Sequence, residues 1–68
     1  MEQWTNSHFR KITEEYIHDE RNRCLLIRRF CDNKTVEQLA EEFDLSVSQV
    51  KRIIYKGGQT VFKMMERN

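Results

Sequence analysis

Few side chains in this 68-residue chain have the type and spacing that reaction chemistry needs. Cys24 and Cys31 are the first to weigh, as a disulfide or a metal clip. Seven residues of helix hold their Cα atoms about 10 Å apart, past the roughly 7 Å a disulfide spans. Zinc sites place paired cysteines roughly two to four residues apart, and His8 and His18 add no such spacing. The two thiols are therefore expected to be small buried hydrophobes of a reducing compartment. Glu14 with Glu15, and Glu41 with Glu42, are acids side by side. On a helix such neighbours point about 100° apart, so they are solvated faces and not an acid–base pair. Gly57-Gly58 follows a helical pattern where a phosphate-binding loop would precede one. With no nucleophile–base set or cofactor fingerprint in the chain, no enzymatic activity, cofactor or metal is expected, and no small-molecule ligand is evident.

Side chains that can bind without reacting are concentrated between Ser46 and Lys56, and two helices must position them. Val36, Leu39, Ala40 and Phe43 recur at i, i+3, i+4 and i+7, the spacing of one helical face, with Glu37, Gln38, Glu41 and Glu42 left in water. After a break at Asp44, Val47, Val50, Ile53 and Ile54 repeat the pattern. Thr35 with Gln38, and Ser46 with Gln49, each have the form of a capping box, in which the hydroxyl takes a helix N–H and the amide reaches back to the cap. The junction Phe43-Asp44-Leu45-Ser46 is too short for anything but a sharp reversal. Asp is among the few non-glycine residues that tolerate the left-handed conformation there, and Leu45 is placed to plug the corner.

On Leu39, the small Ala40 where two helices come close, Phe43, Leu45, Val50 and Ile53, the stretch TVEQLAEEFDLSVSQVKRII resembles DNA-binding helix-turn-helix proteins. It is similar in flavour to the trihelical domains of resolvases and transposases, the promoter-reading domain of sigma factors, and small bacterial regulators. The close resemblance covers about a third of the chain. Asp44 departs from it, since the family most often has Gly there. The resemblance implies that Ser46, Val47, Ser48 and Gln49 meet base edges in the major groove of double-stranded DNA, with Lys51 and Arg52 one turn further along. By chemistry, Gln49 suits adenine through N6 and N7, Arg52 suits guanine through O6 and N7, and Val47 suits a thymine methyl, although its angle on the helix equally suits the core. Lys34, Tyr55 and Lys56 are expected at phosphates, which position a protein without reading sequence.

The flanks read as helices that pack on this unit. Residues 6–18 place Phe9, Ile12 and Tyr16 on one face with Thr13 and Ile17 at its edge, and Trp4 ahead of them as a staple onto the domain. A break near His18, with Asp19 as cap, leads into a second helix over about 20–31. Its apolar face is read as Cys24, Leu26, Ile27, Phe30 and Cys31, with Arg21, Arg28 and Arg29 pointing away. Asp32, Asn33 and Lys34 form the next turn, with Asn33 left-handed. Gly57 is expected to end the helix that carries Lys51 and Arg52, and Val61, Phe62, Met64 and Met65 to form a short C-terminal helix, about 59–66, that caps the core, with a dimer contact as the alternative role. The absence of Pro and the presence of only two Gly favour helices joined by short turns. The expected fold is all-α, a small three- to four-helix bundle in one domain over 1–68 with its core unit at 35–56.

Net charge is only +1, but it is segregated: −2 over residues 1–19, +3 over 20–34, −4 over 35–45 and +4 over 46–68. The positive blocks fall where phosphate is expected. No stretch approaches the roughly 20 apolar residues of a membrane span, and no apolar leader core is seen, so a cytoplasmic protein with no membrane partner is expected. A module this small offers limited interface with DNA, so action as a homodimer or beside a larger protein partner is expected. The rival reading is a protein-interaction module docking on transcription machinery or another regulator through Trp4, Phe62, Met64 and Met65, and the acidic Glu37, Glu41, Glu42 and Asp44 are its support.

Overall fold

Thr5 opens the first helix by accepting the His8 N–H at Oγ1 (3.1 Å). The computed structural model describes residues 5–67, so the expected staple at Trp4 lies outside the described residues. Helix α1 runs Asn6–Tyr16, α2 Glu20–Phe30, α3 Val36–Phe43 and α4 Val47–Arg67, with no strand among the described residues. The fold is an all-α bundle of four helices.

Each break in the chain has a local cause. Ile17 is extended at the end of α1, and Asp19 then caps α2 by accepting the Asn22 N–H (3.1 Å). Asn33 is left-handed (φ 59°) in the α2–α3 turn. Both capping boxes form: the Gln38 N–H donates to Thr35 Oγ1 (3.1 Å) while the Thr35 N–H donates to Gln38 Oε1 (2.9 Å), and Gln49 and Ser46 exchange the same pair at 3.1 and 3.0 Å. Asp44 takes the left-handed conformation (φ 57°, ψ 48°). The Leu45 N–H then reaches back to the Ala40 carbonyl at 2.8 Å and the Asp44 N–H to Glu41 at 3.4 Å, the bond pair of a Schellman ending. Asp44 does here what glycine usually does, at the modest cost a short polar side chain carries in that conformation.

Two apolar clusters make the core. One joins Leu25 of α2, Leu39 and Ala40 of α3, and Val50 of α4, with Val36, Phe43, Leu45, Ile53 and Ile54 packed around them. The other joins Phe9 and Ile12 of α1 to Val61 of α4, with Ile27, Phe30, Phe62, Met64 and Met65 against them. Helices α2 and α4 contribute to both clusters, whereas α1 and α3 do not pack on each other.

Several expectations are corrected. Gly57 does not terminate a helix, and there is no separate helix at 59–66: α4 continues through Gly57 and Gly58 for 21 residues. Neither glycine has a positive φ, so neither is there for a turn. Gly57 serves close packing, because a Cβ on it would collide with Leu26 Cδ1, and Leu26 is fully buried. The interior face of α2 centres on Leu25 and Leu26, and Leu25 lies outside the face that the spacing suggests. That rotation leaves Cys24 exposed, where burial is expected from its type, and Cys31 half-buried; both thiols are free. Burial pushes the Cys31 thiol pKa up, and the Arg10 guanidinium opposes that shift. In α1 the buried partner of Phe9 and Ile12 is Thr13, not Tyr16. The Thr13 hydroxyl is satisfied by the Phe9 carbonyl (2.7 Å), which removes the penalty for its burial. Tyr16, the last residue of α1, stays exposed.

Candidate functional site

The first half of α4 presents the candidate surface, and the turn before it fixes the direction in which that surface points. With the chain reversed at Asp44 and the Ser46–Gln49 box closed, Val50 is locked inward at 0% exposure. At about 100° per residue this sends Ser48, Arg52 and Tyr55 outward, with Lys51 and Lys56 beside them. Ser48, Lys51, Arg52 and Lys56 are all exposed, and Tyr55 is 66% exposed. Val47, 37% exposed, lies at the edge between surface and core.

Two of the sequence-predicted residues are already committed. The Ser46 hydroxyl accepts the Gln49 N–H, and Gln49 Oε1 accepts the Ser46 N–H. Ser46 therefore acts first as a cap. Gln49 Oε1 already spends one of its two lone pairs on that bond, whereas both Nε2 hydrogens are left to donate without disturbing the helix start. Lys34 sits apart from α4, in the α2–α3 turn, and is half-buried. Its N–H donates to the Arg28 carbonyl (3.2 Å), and its carbonyl accepts from Arg29 Nη1 (2.9 Å). The backbone of that turn is thus pinned while the Lys34 ammonium carries the charge.

The electrostatic layout departs from a simple block reading. Arg28, expected to point away, grips Glu42 of α3 with two parallel bonds, Nε to Oε1 at 2.9 Å and Nη2 to Oε2 at 2.7 Å. It also approaches Asp32 at 4.0 Å. One of the four acids of the 35–45 block is thereby neutralised from within, by a residue fourteen positions earlier. No periodicity or local spacing signals such a non-local fork. Among the described residues the ion pairs are those of Arg28 alone, so Lys51, Arg52 and Lys56 have no acidic oxygen within 4.0 Å there.

The exposed cations of α4 are Lys51, Arg52 and Lys56. No group of three or more His, Cys, Asp or Glu among the described residues could hold a metal ion. No helix among them is long and apolar enough to cross a membrane. Phe62, Met64 and Met65, the contact residues of the protein-interaction reading, pack against the Phe9–Ile12–Val61 cluster. No protein-family model, curated protein or solved structure matches the chain.

Proposed function

We propose that the protein binds double-stranded DNA through the exposed face of α4, as a small transcriptional or mobile-element regulator of the helix-turn-helix kind. The observation that supports this most is the combination on one surface of Lys51, Arg52 and Lys56, exposed and unpaired among the described residues, with a helix start held rigid by the Asp44 reversal and the Ser46 cap. Rigid presentation of cations and polar donors on a helix that fits the major groove is what base reading and phosphate contact require. Ser48, Arg52 and the Gln49 Nε2 are assigned to base edges, and Lys51, Tyr55, Lys56 and Lys34 to phosphates. The Arg28–Glu42 fork adds support, since it reduces the acidic field beside α4.

Fluorescence polarisation with mixed duplexes over a salt series tests the assignment. Affinity should fall steeply with salt through counterion release. The Lys51→Ala/Arg52→Ala double variant should bind more weakly, with its log–log salt slope reduced by about one for each phosphate no longer neutralised. Affinity independent of salt, or a double variant that binds like the wild type, would overturn the reading. Because one α4 face is small, binding as a dimer with half-sites about 34–36 Å apart is proposed. Sedimentation of the free and duplex-bound protein measures this, and a monomer in both states would contradict it.

A further inference from the structure

A second feature lies on the opposite flank of α4 from Lys51 and Tyr55. There α4 and the α1–α2 junction enclose an open cleft of about 340 Å³, at the lower end of the roughly 300–1,000 Å³ typical of small-molecule sites. Its walls are Ile17, Leu26 and Ile53, and Arg52 and Lys56 stand at its rim one helical turn apart. The remaining polar lining, Asn22 and Thr60, is neutral, so no acid among the described residues lines the cleft. The bare backbone of Gly57, which admits Leu26 so closely, forms part of the same wall.

We propose that this cleft binds a small amphipathic acid, a short aliphatic or aromatic body ending in a carboxylate. Two cations without an acidic partner among the described residues call for an anion. The apolar walls select which anion: a hydrated inorganic phosphate gains nothing from Ile17, Leu26 and Ile53, whereas an acyl or aryl body removes its own apolar surface and theirs from water. On the DNA-binding reading such an acid would be an effector that weakens the duplex complex, because it neutralises two of the cations assigned to DNA. Its binding is tested without DNA, so failure of the two ideas can be told apart.

The test is an amide-resolved NMR titration of the full chain with octanoate, and in parallel with octanol and with inorganic phosphate. Octanoate should produce saturable shifts at Ile17, Asn22, Ile53, Gly57 and Thr60. It should bind about tenfold more tightly than octanol, the gain expected from two partly exposed ion pairs, and at least about tenfold more tightly than phosphate, the gain expected from burying its apolar body. The Arg52→Gln/Lys56→Gln variant should lower octanoate affinity to that of octanol. Thr60→Phe changes an exposed position, keeps both cations and fills the cleft, so it should abolish the shifts. Absence of saturable shifts, octanol or phosphate matching octanoate, or undiminished octanoate binding by folded Thr60→Phe would each overturn the proposal.

Discussion

The two ends of the bundle are held together in different ways. Around Val50 the buried residues are aliphatic, and directional bonds fix the helix ends there: two closed capping boxes and the Schellman pair after α3, with the Arg28–Glu42 fork joining α2 to α3. Around Val61 three phenylalanines from three helices supply the contact. Phe9, Phe30 and Phe62 meet with ring centroids 5.2–5.5 Å apart, tilted or edge-on. Tilted and edge-to-face pairs add to area burial by aligning ring edges with ring faces. One end has its helix termini fixed by directional bonds. The other supplies apolar burial that a domain near the lower size limit cannot forgo.

The strongest way to break this comparison is at the aromatic end. Phe9→Ala removes a fully buried ring that touches both other phenylalanines and should cost about 3–5 kcal/mol, comparable to the whole stability expected of so small a domain. Urea unfolding measures it, and a loss under about 1 kcal/mol would mean that the trio is not the anchor. Where the two ends meet, the adjacent glycines should respond oppositely to alanine. Gly57→Ala drives a methyl into Leu26 and should destabilise by about 1–2 kcal/mol, overpacking outweighing better helix propensity. Gly58→Ala meets only ordinary contacts with Phe30, 3.8–3.9 Å away, and should stabilise by about 0.5–1 kcal/mol. Thermal melts of the pair decide this, and equal signs would refute the close-packing role of Gly57 against Leu26.

Smaller effects are expected at the hydrogen-bonded end. Ser46→Ala should lose about 1 kcal/mol with the cap, and its effect on duplex affinity should exceed what its stability loss explains, because the start of α4 would fray. An Arg28–Glu42 double-mutant cycle should give a coupling of about 0.5–1 kcal/mol that shrinks with salt, since both groups are over a third exposed. Coupling insensitive to salt would show that the fork is not electrostatic in origin.

The same contrast explains what can be read from the residues in order. Both capping boxes, the left-handed Asn33 and Asp44, the Asp19 cap and the inward Leu39, Val50 and Ile53 are set by neighbours within a few positions, and all are visible in the sequence. What escapes depends on partners elsewhere in the chain. Gly57 looks like a stop signal, yet it is helical, and the reason for a glycine there is the approach of Leu26 from another helix. Leu25 is hidden in a run of apolar residues, Leu25-Leu26-Ile27, that suits several helix orientations. Thr13 looks like an edge residue until its hydroxyl is matched with the Phe9 carbonyl. Of the candidate surface, the outward arc of α4 follows from the 3.6-residue period, whereas the cleft beside Arg52 and Lys56 requires knowing where the α1–α2 junction lies.

The length of α4 has a dynamic consequence. At 21 residues it reaches about 31 Å, nearly the 33 Å longest dimension of the molecule, and one ladder of backbone bonds joins Val50 to Val61. Opening at either end therefore strips packing from the other, and the amides of Val50 and Val61 should exchange with solvent deuterium at rates set by a single opening event. If the ladder has a fault line, it is the Gly57-Gly58 step, the one place where adjacent residues lack side chains. Faster exchange confined to Lys56 through Gln59 would mark the point at which the chain divides into two cooperative units.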